Sequence, residues 1–94
     1  MASDSIPISD FVRAKYNSAR IQKVVESWRV EPEAVCDILK RYFLDMGIYT
    51  VIPTQKQILL DNMVHHLRHS EEVMNLLDKA QKDSFMQQRS RHAE

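Results

Sequence analysis

Residues 32–46 read Pro-Glu-Ala-Val-Cys-Asp-Ile-Leu-Lys-Arg-Tyr-Phe-Leu-Asp-Met, and the chain turns at Gly47 immediately afterwards. Ala34, Val35, Cys36, Ile38, Leu39, Tyr42, Phe43, Leu44 and Met46 leave only a narrow polar stripe on a helix. A helix that is apolar on most of its circumference needs cover on two sides. Pro32 suits its first position, where the missing N–H has no helical partner, and Glu33 suits the positive end of its dipole. Gly47 suits its end, because only glycine enters the left-handed region without a Cβ clash; Ile48 is then placed to fold back on Phe43. The segment therefore predicts a central helix over 32–46 with fixed ends.

Upstream, Ile21, Val24, Val25 and Trp28 follow the i, i+3, i+4, i+7 pattern of one buried face, with Arg20, Lys23 and Glu26 on the other side. Ser9 and Asp10 are candidate caps, which sets a first helix at about 10–28 with a weak point near Asn17 and Ser18. Residues 1–8 form a flexible lead in this reading. Downstream, Ile48 to Pro53 is too apolar for a solvated loop and crosses the core in extended form. Thr54 and Gln57 match a capping box for a third helix over 55–69, whose buried stripe is Leu60, Met63, Val64 and Leu67. The stripe changes phase at Ser70, so a break is expected before a fourth helix over 71–86 bearing Val73, Leu76, Leu77 and Ala80. Residues 88–94 are polar and read as a flexible tail. The expectation is an all-α compact bundle of about four helices in a single domain, 9–87.

Composition supports this class. The 94 residues contain one glycine, three prolines and 44% hydrophobic residues, a mixture suited to packed helices and poor for a turn-rich β fold. A chain of this length buries roughly 60–65% of its unfolded surface, so self-association is a common way to gain apolar contact. Thirteen basic side chains balance thirteen acidic ones, which excludes a general basic attraction to nucleic acid or anionic lipid. Residues 1–30 carry five basic and three acidic groups, 31–53 two and four, and 54–94 six and six. A single cysteine cannot form an internal disulfide, and no stretch approaches the ~20 apolar residues of a membrane span. With no signal-like leader, a cytoplasmic protein is expected.

Three groups of residues carry the possible functions. Aromatic and apolar side chains that dominate interfaces, here Trp28, Tyr42, Phe43, Tyr49 and Ile52, are candidate anchors for a protein partner or a second copy of the chain. The basic set Arg13, Lys15, Arg20 and Lys23 on the first helix, with Arg89 and Arg91 of the tail, is the alternative, a phosphate-contacting surface for a DNA-binding regulator. The helix at 32–46 is unsuited to DNA reading, since Glu31, Glu33 and Asp37 would meet phosphate at its start. A remote alternative is metal binding by Asp61, His65 and His69, one helical turn apart; His66 stands where a zinc-protease helix carries its catalytic glutamate. No glycine-rich phosphate loop or nucleophile constellation is present, and no cofactor is implied. These features together suggest a small non-enzymatic regulator or adaptor, acting through protein–protein contact as a homodimer.

Met63-Val64-His65-His66-Leu67-Arg68-His69-Ser70-Glu71 and the cap before it resemble a helix of the small enterobacterial connector proteins that modulate two-component signalling and biofilm formation. The likeness covers about a third of the chain and consists of an amphipathic helix. The loop before it is longer here, and Arg68 stands where the family pattern carries an acidic residue. No residue role is transferred from it.

Overall fold

Two polar residues, Asn17 and Ser18, divide the first expected helix. In the structure, a computed structural model describing residues 5–92 and the side chains of 5–81, α1 covers Ile8–Tyr16 and α2 covers Ala19–Val25. Ser18 takes an extended conformation (φ −70°, ψ 155°), and its hydroxyl donates to the Lys15 carbonyl at 2.7 Å. The Gln22 side-chain amide donates to the Tyr16 carbonyl at 2.7 Å. Both carbonyls lie at the end of α1, where no further helical turn supplies donors, so the break is compensated locally. The consequence is a change of axis that brings Ile21 and Val25 of α2, with Phe11 and Val12 of α1, into one core.

The cap of α1 also differs from the Ser9/Asp10 expectation. Ile6–Pro7 form a short strand β1, antiparallel to β2 at Thr50–Val51, in the register Ile6 with Val51 and Pro7 with Thr50. Ile8 N–H donates to the Tyr49 carbonyl at 2.9 Å, and this backbone bond satisfies one of the first-turn donors that have no partner within the helix. Hydrogen-bonded and non-bonded pairs alternate along an antiparallel ladder. Pro7 falls opposite Thr50 at a non-bonded pair, where its missing N–H costs the ladder nothing. Ile6 and Pro7 lie in the expected lead, yet they are paired, and Ile8 is buried.

The central helix, α3, runs Pro32–Asp45 with Glu31 as its cap residue. Gly47 follows at φ +79°, and both bonds of a Schellman end are made: Ile48 N–H to the Phe43 carbonyl and Gly47 N–H to the Leu44 carbonyl, each 2.9 Å. The chain then passes through β2 to a 3-10 turn at Pro53–Gln55 and into α4, Lys56–His69. The capping box is shifted from its expected Thr54/Gln57 place. Gln55 accepts the Ile52 N–H on its side-chain oxygen (3.3 Å) and donates its own N–H to the Ile52 carbonyl (2.9 Å). Proline at 53 favours the tight turn first, which delays the α-helix to Lys56.

Ser70 breaks the next stretch as its phase change implied. It is extended (φ −82°, ψ 131°), accepts the Val73 N–H on its hydroxyl at 3.4 Å, and separates α4 from α5, Glu71–His92. The expected helix over 71–86 lies within α5. Among the described residues the all-α bundle thus forms with five α-helices, the first expected helix having become two. Val35, Ile38, Leu39 and Phe43 of α3 are at the centre, with Leu59, Leu60, Met63 and Leu67 of α4, Val73 of α5 and Val51 of β2 around them. α1 and α5 lie closest to α3, while α4 packs on α2 and α5. No polar side chain of the described residues is fully buried.

Candidate partner-binding surface

The connection between α3 and α4 is held by backbone bonds on both sides while two of its large side chains, Tyr49 and Ile52, face outward. Tyr49 is tied through its carbonyl to Ile8, and Ile52 through its N–H and C=O to Gln55. Val51 between them is inward and fully enclosed. Tyr49 is 66% exposed and Ile52 45% exposed. Two further apolar residues of the same stretch, Met46 and Ile58, are 46% and 63% exposed. Neither was among the sequence candidates. Ile58 was legible, because it shares its helical face with polar Asp61 and His65 rather than with Leu60 and Met63. Met46 was not, since its spacing from Tyr42 and Phe43 matches the buried face and only the end of α3 leaves it uncovered.

From Met46 to Gln55 no side chain carries a formal charge, and Asp45 and Lys56 stand at the two ends. The remaining sequence-named anchors are placed differently. Phe43 is at 0% exposure, so its ring belongs to the core. Tyr42 is half-buried and stacks on His66 of α4, ring centroids 3.9 Å apart and planes within 17°. Trp28, after α2, is half-buried against the core. Of the five, Tyr49 and Ile52 are the two left facing outward.

The basic set is split by the break at Ser18. Arg13 and Lys15 stand on α1, Arg20 and Lys23 on α2, and the Arg20 guanidinium donates to the Asp61 carboxylate of α4. The side chains of Arg89 and Arg91 lie outside the described residues. That same ion pair occupies Asp61, the first residue of the metal alternative. His65 and His69 have ring centroids 4.6 Å apart, tilted by 41°. Among the described residues no three His, Cys, Asp or Glu side chains converge on a position that could hold a metal ion.

Between α1 and α3 lie two adjoining open clefts of about 490 and 380 Å³ that share Arg13 and Cys36. Burial pushes the Cys36 thiol above its ordinary value; Arg13 pulls it down, and Asp37 and Glu33 push it up. A thiol so held stays protonated near neutral pH and is a poor nucleophile. The neighbouring Tyr16 phenol is also raised, chiefly by burial. Along the described residues no helix is long and apolar enough to cross a membrane.

No protein-family model, no curated protein and no solved structure matches the chain.

Proposed function

We propose that the chain is a small non-enzymatic regulator or adaptor that works in the cytoplasm through protein–protein contact, and that Met46, Tyr49, Ile52 and Ile58 form the contact with a second copy of the chain. The observation that carries the reading is the exposure of these four side chains, Tyr49 and Ile52 on a connection whose backbone is already hydrogen-bonded and Met46 and Ile58 on the helix ends that flank it. Burying such residues is favourable by about 25 cal/mol for each Å² of apolar surface removed from water, and aromatic anchors tend to dominate interface energies. A second copy fits the charge pattern. An isologous contact is self-complementary, and two copies crossing antiparallel over the uncharged stretch set one copy's Asp45 opposite the other's Lys56, and Tyr49 opposite Ile52. Zero formal net charge leaves no long-range repulsion between copies.

Sedimentation equilibrium over a wide concentration range tests this. The wild type is expected to exceed its 11.0 kDa monomer mass, and Tyr49→Lys with Ile52→Lys to return it to the monomer while keeping its helical circular dichroism. A wild type that stays monomeric at every concentration refutes the homodimer.

A further inference from the structure

His66 stands where three helices meet. It projects from α4, its ring stacks on Tyr42 of α3 at 3.9 Å, and the Glu72 carboxylate of α5 acts on it electrostatically. Glu72 in turn accepts a hydrogen bond from Arg41 of α3 at 3.1 Å. The His66 carbonyl accepts the Ser70 N–H at 2.9 Å, so the residue also forms the base of the single extended joint between α4 and α5. Its Nε2 is buried and has no hydrogen-bond partner among the described residues.

We propose that His66 is an acid-sensitive pin for α5: the neutral ring holds α5 against α3 and α4, and protonation of the ring releases α5 about the Ser70 joint. The pin uses none of the four side chains of the 46–58 surface and does not depend on what binds there.

The neutral Nδ1–H tautomer leaves only a lone pair at the enclosed Nε2. Adding a proton puts an N–H there with no acceptor and places a positive charge on a half-buried ring whose Nε2 is shut off from water, both of which are costly. The surrounding charges act in opposite directions. Burial, the largest effect, pushes the imidazole below its ordinary value; Glu72 pulls it up, and His65, the preceding residue on α4, pushes it down. Of the other groups on the packed elements, Tyr42 offers a ring face that favours a cation. Arg41 engages Glu72 and repels a cation. The net direction is against protonation in the docked state.

Linkage then fixes the sign. A histidine held low when docked and near 6.5 when released takes its proton first in the released state. Docking is therefore at full strength above about pH 6.5 and weakens by up to about tenfold for each pH unit below it, until the docked group itself titrates. α5 is the element placed to yield. Among the described side chains it contributes only Val73 to the fully buried core, with Leu76 and Leu77 half-buried, and its ion pair to Arg41 is exposed. Elements with few buried contacts open first.

Amide hydrogen exchange on the full chain at pH 7.5, 6.5 and 5.5, corrected for intrinsic exchange, reads the release directly. Protection over 73–81 should fall by up to about tenfold between pH 7.5 and 5.5 relative to α1 and α3, most of it below pH 6.5. His66→Phe keeps a ring against Tyr42 and removes the titration, so its α5 protection should be flat with pH; His65→Gln removes only the smallest of the three effects on His66 and should keep a clear fall with acidification. NMR titration of the His66 ring in the wild type should give a midpoint below 6.5. Flat wild-type protection, an unchanged fall in His66→Phe, or a His66 midpoint at or above 6.5 overturns the proposal. The wild-type titration and exchange decide it even if His66→Phe does not fold.

Discussion

Replacing Gly47 by alanine isolates the cost of one backbone conformation. Gly47 sits at φ +79°, and a Cβ built there meets no atom within 4 Å, so crowding contributes nothing to the change. The remaining cost is the left-handed conformation itself, about 1–2 kcal/mol for an L-residue with a Cβ. Part of that is offset, by about 0.4–1 kcal/mol, because alanine has less freedom to lose from the unfolded chain. Gly47→Ala should therefore destabilise by about 1 kcal/mol, with both Schellman bonds of Phe43 and Leu44 retained. In a domain of this size that lowers Tm by about 5 °C, which thermal unfolding followed by circular dichroism resolves easily. Gly47→Asn should recover roughly half of the loss, since asparagine tolerates this region. An alanine variant as stable as the wild type would refute the left-handed turn. A loss above about 3 kcal/mol would refute the open space around it, because the conformational cost alone does not reach that size.

Two further outcomes separate enclosed from outward-facing residues. Phe43→Ala should cost about 3–5 kcal/mol in urea unfolding, as expected for an enclosed ring, whereas Tyr49→Ala should change monomer stability by less than about 0.5 kcal/mol. Equal losses at the two positions would show that the connection does not present Tyr49 outward. Cys36, half-buried and held above its ordinary pKa, should react with a thiol reagent at pH 8 several-fold more slowly than a free thiol in solution, and Arg13→Ala should slow it further by removing the one charge that favours the thiolate. Faster reaction in the Arg13 variant would contradict that electrostatic assignment.

Local chemistry was legible wherever a residue's own geometry decided the matter. Pro32 can open a helix and Gly47 can close one whatever else surrounds them, and the structure uses both. The phase change at Ser70 was equally local, because polar residues enter the buried stripe there and the serine hydroxyl can cap the first turn of α5. Capping elsewhere was less legible. The cap of α1 moved from Ser9 and Asp10 to Pro7 because Tyr49, far along the chain, supplies the acceptor. The break at Ser18 was visible only as a weak point; its depth depends on Gln22 turning back to Tyr16.

The candidate surface divides in the same way. Periodicity marked 32–46 as apolar on most of its circumference, and apolar content over a short span marked 48–53 as an extended crossing. Neither pattern could say which aromatic would remain uncovered. Phe43 is enclosed in the core and Tyr42 stacks on His66 of α4, while Tyr49 and Ile52 face outward because the β1 pairing and the Gln55 turn hold their backbone and leave their side chains without a covering element. The pairs Arg20 with Asp61 and Tyr42 with His66 likewise join separate helices. By itself the sequence determined the helical class, the ends of α3 and the joint at Ser70, since those rest on sterics and hydrogen bonding within a few residues. The tertiary structure decided burial, ion pairing and the outward face, since those depend on which distant segments come to lie against one another.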